Sequence, residues 1–161
     1  MAKITFPGLA DYELMLSRLE GSTDEMIGKA VYAGAGIVAD AIKDSIKALP
    51  IVRGYGTESD PLPGGVTAPQ KAGLIDGLGI APMQDDMGYL NVKIGFDGYN
   101  ATKTEKYPQG QPNQLVARGV ESGTSWKKKK PFIRPAVNAS RNRAEAEMAR
   151  ILDEEIKKVS K

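Results

Sequence analysis

Apolar residues recur every three to four positions in two long stretches of the chain, which is the spacing of an amphipathic helix. The first stretch predicts a helix over residues 23–49, which Pro50 ends. The second stretch predicts a helix over about residues 132–159, with Pro135 in its first turns, where proline is tolerated. We expect the two apolar stripes to form the core of the protein.

Shorter elements are predicted around these two helices. Helical spacing of apolar residues indicates short helices over residues 9–20, 69–77 and 114–121. Gly21 is expected to end the first of them, because glycine is the common residue just beyond a helix. Residues 3–6 alternate polar and apolar side chains, which predicts a short strand at the amino terminus.

The middle of the chain has the pattern of a β-hairpin. Residues 89–96 alternate apolar and polar side chains, which is typical of a strand with one buried face. Residues 80–83 predict a second strand, which Pro82 confines to a sheet edge, and residues 85–88 have turn chemistry. We therefore predict an α+β fold: two long helices packed on a small antiparallel β-sheet, with long loops, in a single domain over residues 1–161.

Two segments, 51–68 and 97–112, are rich in glycine, proline and polar residues and lack periodicity. Loops of this length are unusual in a compact domain and are often contact elements. Four aromatic residues fall in predicted loops: Tyr55, Tyr99, Tyr107 and Trp126. Such side chains either anchor an interface with a partner or fold back over the domain's own core, and the sequence leaves both readings open.

The composition removes several kinds of chemistry. The chain contains no Cys and no His, so it has no disulfide, no thiol nucleophile and no Ser–His or Cys–His pair. Adjacent carboxylates at Asp85 and Asp86 are interpreted as turn residues rather than a metal or acid–base site. We therefore expect a protein that is not an enzyme and that has no metal, no cofactor and, since no apolar run approaches about 20 residues, no membrane segment.

Charge is balanced over the whole chain, with 22 basic and 20 acidic residues. The exception is the run Lys127, Lys128, Lys129 and Lys130. Three interpretations remain open: contact with DNA phosphates, contact with an acidic partner surface, or a solvated spacer. Sequence-specific reading of bases is not expected, because it needs planar, bidentate donors such as Arg, Asn or Gln in a groove.

The most specific pattern lies in residues 113–136, where NQLVARGVESGTS is followed by PFIRPA. This segment resembles the carboxy-terminal signature of the tail-component family of siphophages, the neck or tail-completion proteins of lambda-like phages. The match rests on Glu121, Gly123, Thr124, Pro131, Phe132, Arg134 and Pro135. It extends upstream to Gly8-Leu9, to residues 39–43 and to residues 72–77, where Ala and Gly replace the Thr and Ser of the family pattern.

The resemblance implies a structural protein of the phage virion, assembled in the bacterial host cytoplasm. It implies a homo-hexameric ring in the neck that joins the tail to the head-closure protein and contacts the tail terminator or tail tube protein. DNA would pass through its channel without being read in a sequence-specific way. Two rival functions remain: a small nucleic-acid-binding module that uses the lysine run, and, less well supported because His is absent, a hydrolase that uses Asp or Glu.

The motif residues also suit roles in folding. Gly123 can adopt a positive φ and end the short helix. Pro131 and Pro135 stiffen the entry to the last helix, and Phe132 can fill the core where that helix docks. Arg134 is expected to pair with Glu121 across the junction.

Overall fold

The computed structural model describes residues 9–161, with the side chains of residues 9–13, 15 and 16 excepted. The strand predicted at residues 3–6 lies outside the described residues. Two long helices dominate the fold: α1 spans Leu9–Lys47, with 39 residues, and α4 spans Ile133–Val159, with 27 residues. The mixed α+β class predicted from the sequence is confirmed, since short antiparallel strand pairs accompany the helices.

Helices α1 and α4 pack side by side and run antiparallel. Gly34 of α1 faces Met148 of α4 so closely that an added Cβ would lie 2.7 Å from the Met148 Cγ. Nearer the start of α1, the Lys29 Nζ lies 3.0 Å from a Glu155 carboxylate oxygen of α4. The missing side chain at Gly34 therefore lets the two helices approach closely.

The prediction of two separate helices over residues 9–20 and 23–49 is wrong, because α1 is continuous through Gly21. A single glycine costs about 1 kcal/mol in a helix interior, which the packing of a long helix can offset. Inside this continuous helix, the Thr23 hydroxyl donates to the Leu19 carbonyl oxygen at 2.6 Å, one turn earlier.

Two short helices connect the long ones. Helix α2 spans Ala68–Gly77 and begins with a capping box, in which Thr67 and Gln70 each accept a hydrogen bond from the other's backbone N–H. Helix α3 spans Asn113–Ser122. It ends at Gly123, whose φ of 79° and whose N–H bond to the Gly119 carbonyl confirm the predicted helix end.

The strands form two separate two-stranded antiparallel sheets. Strand β1 (Leu78–Ile80) pairs with β4 (Ile94–Phe96), and β2 (Gln84–Asp86) pairs with β3 (Tyr89–Asn91). The single strand predicted over residues 89–96 is therefore two strands with different partners, and burial alternates only over residues 92–96. Pro82 lies between β1 and β2, outside both strands, because proline cannot donate to a ladder.

The core sits where the carboxyl end of α1 meets α2, α3 and the start of α4. Ile46 and Leu74 are fully buried there, and Phe132 is 3% exposed, as predicted for a residue that fills the core. The Phe132 ring packs on Phe96 of β4, with 6.2 Å between centroids. The remaining buried members are Ile42, Leu49, Val66, Val116, Ala117, Val120 and Ala136.

The loop at residues 51–68 is tied to the core at both ends by backbone hydrogen bonds. The Val52 N–H donates to the Val66 carbonyl at 2.8 Å, and the Val66 N–H donates to the Pro50 carbonyl at 3.0 Å. The other loop, residues 97–112, is closed by a bond of 2.9 Å from the Asn100 N–H to the Gln111 carbonyl. Both loops thus have defined bases from which exposed residues project.

Candidate interaction surface

Residues of the 113–136 segment build the junction between α3 and α4. The Glu121 carboxylate accepts three backbone N–H groups at the start of α4, from Phe132 at 2.8 Å, Ile133 at 2.9 Å and Arg134 at 3.0 Å. The first backbone N–H groups of a helix have no partner within the helix and carry its positive dipole end. A carboxylate from α3 therefore satisfies and electrostatically complements the amino terminus of α4.

The predicted side-chain pair between Arg134 and Glu121 is replaced by this backbone contact. Arg134 donates its backbone N–H to Glu121, while its side chain is exposed and forms no ion pair within the described part of the chain. Burial by itself raises the pKa of the Glu121 carboxyl. The three backbone hydrogen bonds and the Arg134 charge lower this pKa by more than burial raises it, so the net pKa is below its ordinary value.

The spacer that carries the lysine run is held in place by its backbone. The Leu62 N–H donates to the Trp126 carbonyl at 2.9 Å, and the Lys128 N–H donates to the Leu62 carbonyl at 2.8 Å. The Lys130 N–H donates to the Val120 carbonyl at 2.8 Å. Gly64 packs directly against the run, where an added Cβ would lie 2.9 Å from the Lys128 carbonyl oxygen.

The lysine run is divided between two environments. Lys127 is half-buried, its Nζ donates to the Gly65 carbonyl at 3.3 Å, and burial lowers its pKa. Lys128, Lys129 and Lys130 are exposed. Three of the four lysine side chains are thus exposed and the fourth is partly exposed, on a backbone that is held by hydrogen bonds.

A groove of about 690 Å³ opens beside this spacer. It brings together three of the residues predicted as interface candidates: Tyr107, Trp126 and Lys127. Trp126 is 57% exposed at its edge, and Tyr107 is half-buried with the Lys106 Nζ 5.6 Å from its ring centroid. Such amphipathic rings anchor protein interfaces because they combine large apolar area with a polar atom.

The sequence reasoning missed three members of this groove. Lys106 and Arg118 supply positive charge, and Leu115 is an apolar side chain that is 44% exposed on α3. The spacing of two of them could have been used to place them together, because Leu115 and Arg118 lie three residues apart and therefore share one helix face. Among the described residues, no carboxylate lines the groove, so its charge is positive.

Two of the predicted aromatic candidates lie elsewhere. Tyr55, in the loop over residues 51–68, is 102% exposed, and Tyr99 is 68% exposed. Neither lines the groove. Both project into solvent rather than folding back as lids, whereas Tyr107 does lie against the domain.

The carboxylates of β2 serve the turn that follows them. Asp85 accepts the Gly88 N–H at 2.6 Å, and Asp86 accepts the Asn91 side-chain amide at 2.8 Å. Met87 (φ 55°) and Gly88 (φ 87°) both have positive φ, as a two-residue hairpin turn of this hand requires. Within residues 9–161, no cluster of three or more acidic side chains is placed to hold a metal ion.

The stretch at residues 72–77 also has a packing role. Gly73 lies against Asn100 and Asn113, both of them buried, so closely that a Cβ would collide with them. The Asn113 side-chain amide donates to the Asp97 carbonyl at 2.8 Å. A glycine is thus required at position 73 because Gly73 contacts Asn100 of the loop over residues 97–112 and Asn113 just after it.

In comparisons with known proteins, no protein-family model, no curated protein and no solved structure matches this chain. None of the helices in the described part combines the length and the apolar character that crossing a bilayer requires. The function therefore has to be argued from the residues and from their geometry.

Proposed function

We propose that this chain is a structural component of a tailed-phage neck, where it forms a ring that joins the tail to the head-closure complex. Its partners in this proposal are copies of itself, in a homo-hexamer, the head-closure protein, and the tail terminator or tail tube protein. DNA passes through the ring without sequence-specific contacts. The protein acts in the virion, after assembly in the host cytoplasm, by presenting complementary surfaces rather than by catalysis.

The observation that carries the proposal is the junction between α3 and α4. The residues on which the phage resemblance rests are the residues that build it: Glu121 caps α4, Gly123 ends α3 and Phe132 fills the core. The motif residues therefore have the fold-forming roles that the resemblance implies for them, and the assignment to the neck family itself rests on the resemblance in the sequence.

The surface features suit an assembly protein. Large apolar side chains are fully or mostly exposed in the two long loops and at the β2–β3 hairpin: Tyr55, Met87, Tyr89 and Tyr99. Single exposed apolar residues are common on any protein. Exposed aromatic side chains in loops, together with a groove edged by Trp126, are suited to anchor partner subunits.

The exposed lysines favour a second role within the same proposal, or the rival nucleic-acid-binding function. Lys128, Lys129 and Lys130 form a fixed positive strip, and flexible ammonium groups suit phosphates or acidic surfaces alike. The remaining lysine of the run, Lys127, lies in the groove wall, and this position reduces the positive charge that the run presents to a DNA backbone.

Gene disruption in the phage or prophage that encodes the chain tests the proposal. We expect separate filled heads and separate tails in electron micrographs, and we expect the wild-type gene supplied in trans to restore infectious particles. Normal joining of heads to tails without the protein would refute the neck function. Labelled protein seen at the neck would support it.

A matched pair of triple variants distinguishes the possible roles of the exposed lysines. One carries Lys128→Gln, Lys129→Gln and Lys130→Gln; the control carries the same charge change at exposed lysines elsewhere, Lys43, Lys103 and Lys157. Unjoined heads and tails in the first variant alone indicate an assembly contact. Joined particles that fail to deliver DNA indicate a channel role, and a wild-type titre leaves the strip without a function.

A further inference from the structure

The hairpin formed by β2 and β3 projects from the middle of α1. Its base is anchored where the Met83 N–H donates to the Tyr32 hydroxyl at 2.7 Å and where the Met83 side chain lies against Gly28. Its tip is free: Met87 is 106% exposed and Tyr89 is 79% exposed. Two exposed carboxylates, Asp85 and Asp86, precede the tip. The hairpin therefore presents apolar side chains beside negative charge.

The groove beside the spacer has the complementary character. It is edged by the Trp126 and Tyr107 rings and by Leu115, and its charged members are Lys106, Arg118 and Lys127. Its volume of about 690 Å³ falls in the range of about 300–1,000 Å³ that holds large apolar groups. A Met and a Tyr side chain fit this space, and carboxylates beside them would meet the cations.

One chain cannot join its own hairpin to its own groove. The hairpin is anchored near Gly28 of α1, whereas the groove is walled by Val116 and Val120, which pack in the core with Ile46 near the other end of that helix. Eighteen residues of helix separate Gly28 from Ile46, which is about 27 Å. The two complementary surfaces therefore lie at distant positions on one rigid helix.

We propose that the tip of the β2–β3 hairpin of one subunit docks in the Trp126 groove of a second copy of this chain. Two different surfaces then meet in each contact, and such a head-to-tail contact repeats around a ring or along a filament. The inference rests on the proposed ring-forming function and names the contact by which the ring closes.

The contact is small for a stable pair. Specific dimers bury about 1,200–2,000 Å² in total, and two side chains at a hairpin tip supply only part of that area, since an aromatic side chain buries about 150–250 Å². Isolated subunits should therefore associate weakly, and association should strengthen when both neighbours in a ring are present. Because the charges are exposed, it should also weaken as salt rises.

Cysteine cross-linking tests the contact directly, because the chain contains no native Cys. One variant carries Met87→Cys, and a second, with an affinity tag, carries Leu115→Cys. After mixing and mild oxidation, we expect a mixed disulfide-linked dimer. The matched control replaces Met87→Cys by Tyr55→Cys, which is equally exposed but belongs to the loop over residues 51–68 and not to the hairpin. The Met87 pair should give at least a tenfold higher yield than the control.

Charge exchange provides a second readout at exposed positions outside the core. Because Asp85 and Asp86 also accept hydrogen bonds in the hairpin, the decisive result is the restoration of the yield rather than its loss. The pair Asp85→Lys and Asp86→Lys should lower the cross-link yield severalfold, and so should the pair Lys106→Glu and Arg118→Glu. The yield should be restored when the Met87→Cys protein carries Asp85→Lys and Asp86→Lys and is mixed with a Leu115→Cys protein that carries Lys106→Glu and Arg118→Glu. Unchanged circular dichroism spectra would show that each variant is folded.

The outcomes separate this contact from the neck function. Equal yields with Met87→Cys and Tyr55→Cys would overturn the hairpin–groove contact, as would a groove that instead binds duplex DNA with a steep salt dependence. If gene disruption still leaves heads and tails unjoined in that case, the neck function stands without this contact. The contact would be supported and the neck function refuted if Met87→Cys cross-links specifically while phage without the gene still joins heads to tails normally.

Discussion

Replacing Glu121 by alanine removes the acceptor of three backbone N–H groups at the start of α4. Each hydrogen bond to a charged group contributes about 1.5–3 kcal/mol in isolation. The three bonds share one half-buried carboxylate, so their contributions are not additive, and the loss of an N-terminal cap typically costs about 0.5–2 kcal/mol. Since three donors lose their partner here, we expect a loss of about 2–3 kcal/mol in the free energy of unfolding.

The corresponding fall in melting temperature is about 4–12 °C, at roughly 2–4 °C per kcal/mol for a domain of this size. Glu121→Gln keeps the shape and one acceptor oxygen but loses the charge, and about 1 kcal/mol is expected. Glu145→Ala is the matched control, because Glu145 is exposed on α4, the helix that Glu121 caps, and such changes stay within about 0.5 kcal/mol. Urea and thermal denaturation measure all three variants.

The dependence on pH gives a second, independent check. The folded-state pKa of Glu121 lies below its ordinary value because backbone donors and Arg134 outweigh the effect of burial. Its stabilisation is therefore complete above the unfolded pKa of about 4.3 and is lost as the pH falls through the lower folded-state pKa. The difference between wild type and Glu121→Gln should shrink below about pH 4. Equal stability of the Glu121→Ala and Glu145→Ala variants would falsify the capping role.

Two further substitutions test contacts that only glycine permits. Gly73→Ala should destabilise the protein by about 1–3 kcal/mol, because its Cβ would collide with the buried Asn100 side chain; Gly36→Ala, with nothing within 4 Å of the new Cβ, should be neutral or gain up to about 1 kcal/mol. Gly34→Val should cost about 1–3 kcal/mol by pushing Met148 and α4 away from α1, whereas Gly34→Ala should cost less because the Met148 side chain can move. Urea denaturation compares each pair, and if Gly73→Ala were no less stable than Gly36→Ala, the close contact with Asn100 would be wrong.

Periodicity in the sequence was sufficient to predict the long helices and the fold class. The apolar stripes over residues 23–49 and 132–159 correspond to the packed parts of α1 and α4, because helical burial must repeat every 3.6 residues. The turn predicted over residues 85–88 lies at Met87 and Gly88, where both φ angles are positive, whereas Asp85 and Asp86 belong to strand β2. The boundary at Gly21 was wrong because local propensity is weaker than the continuity of a long helix.

Strand pairing could not be read from the alternation in residues 89–96. An alternating pattern shows which side chains face inward, but it does not show which strand supplies the hydrogen bonds. The chain changes partner between Asn91 and Ile94, where the Lys93 carbonyl accepts the Ala81 N–H at 2.8 Å. That choice depends on how the two sheets sit against α1, which is a property of the folded chain.

The sequence by itself determined the helical stripes, the turn residues and the absence of Cys and His chemistry, because each follows from residue type and short-range spacing. Tertiary structure decided which partner each charge meets. It turned the expected Glu121–Arg134 side-chain pair into a cap on the α4 backbone, and it drew Lys127 into a groove wall while leaving Lys128–Lys130 exposed. It also gathered Trp126 and Arg118 into one groove with Tyr107. Contacts between residues distant in the chain are fixed by how the helices pack, and no local pattern encodes them.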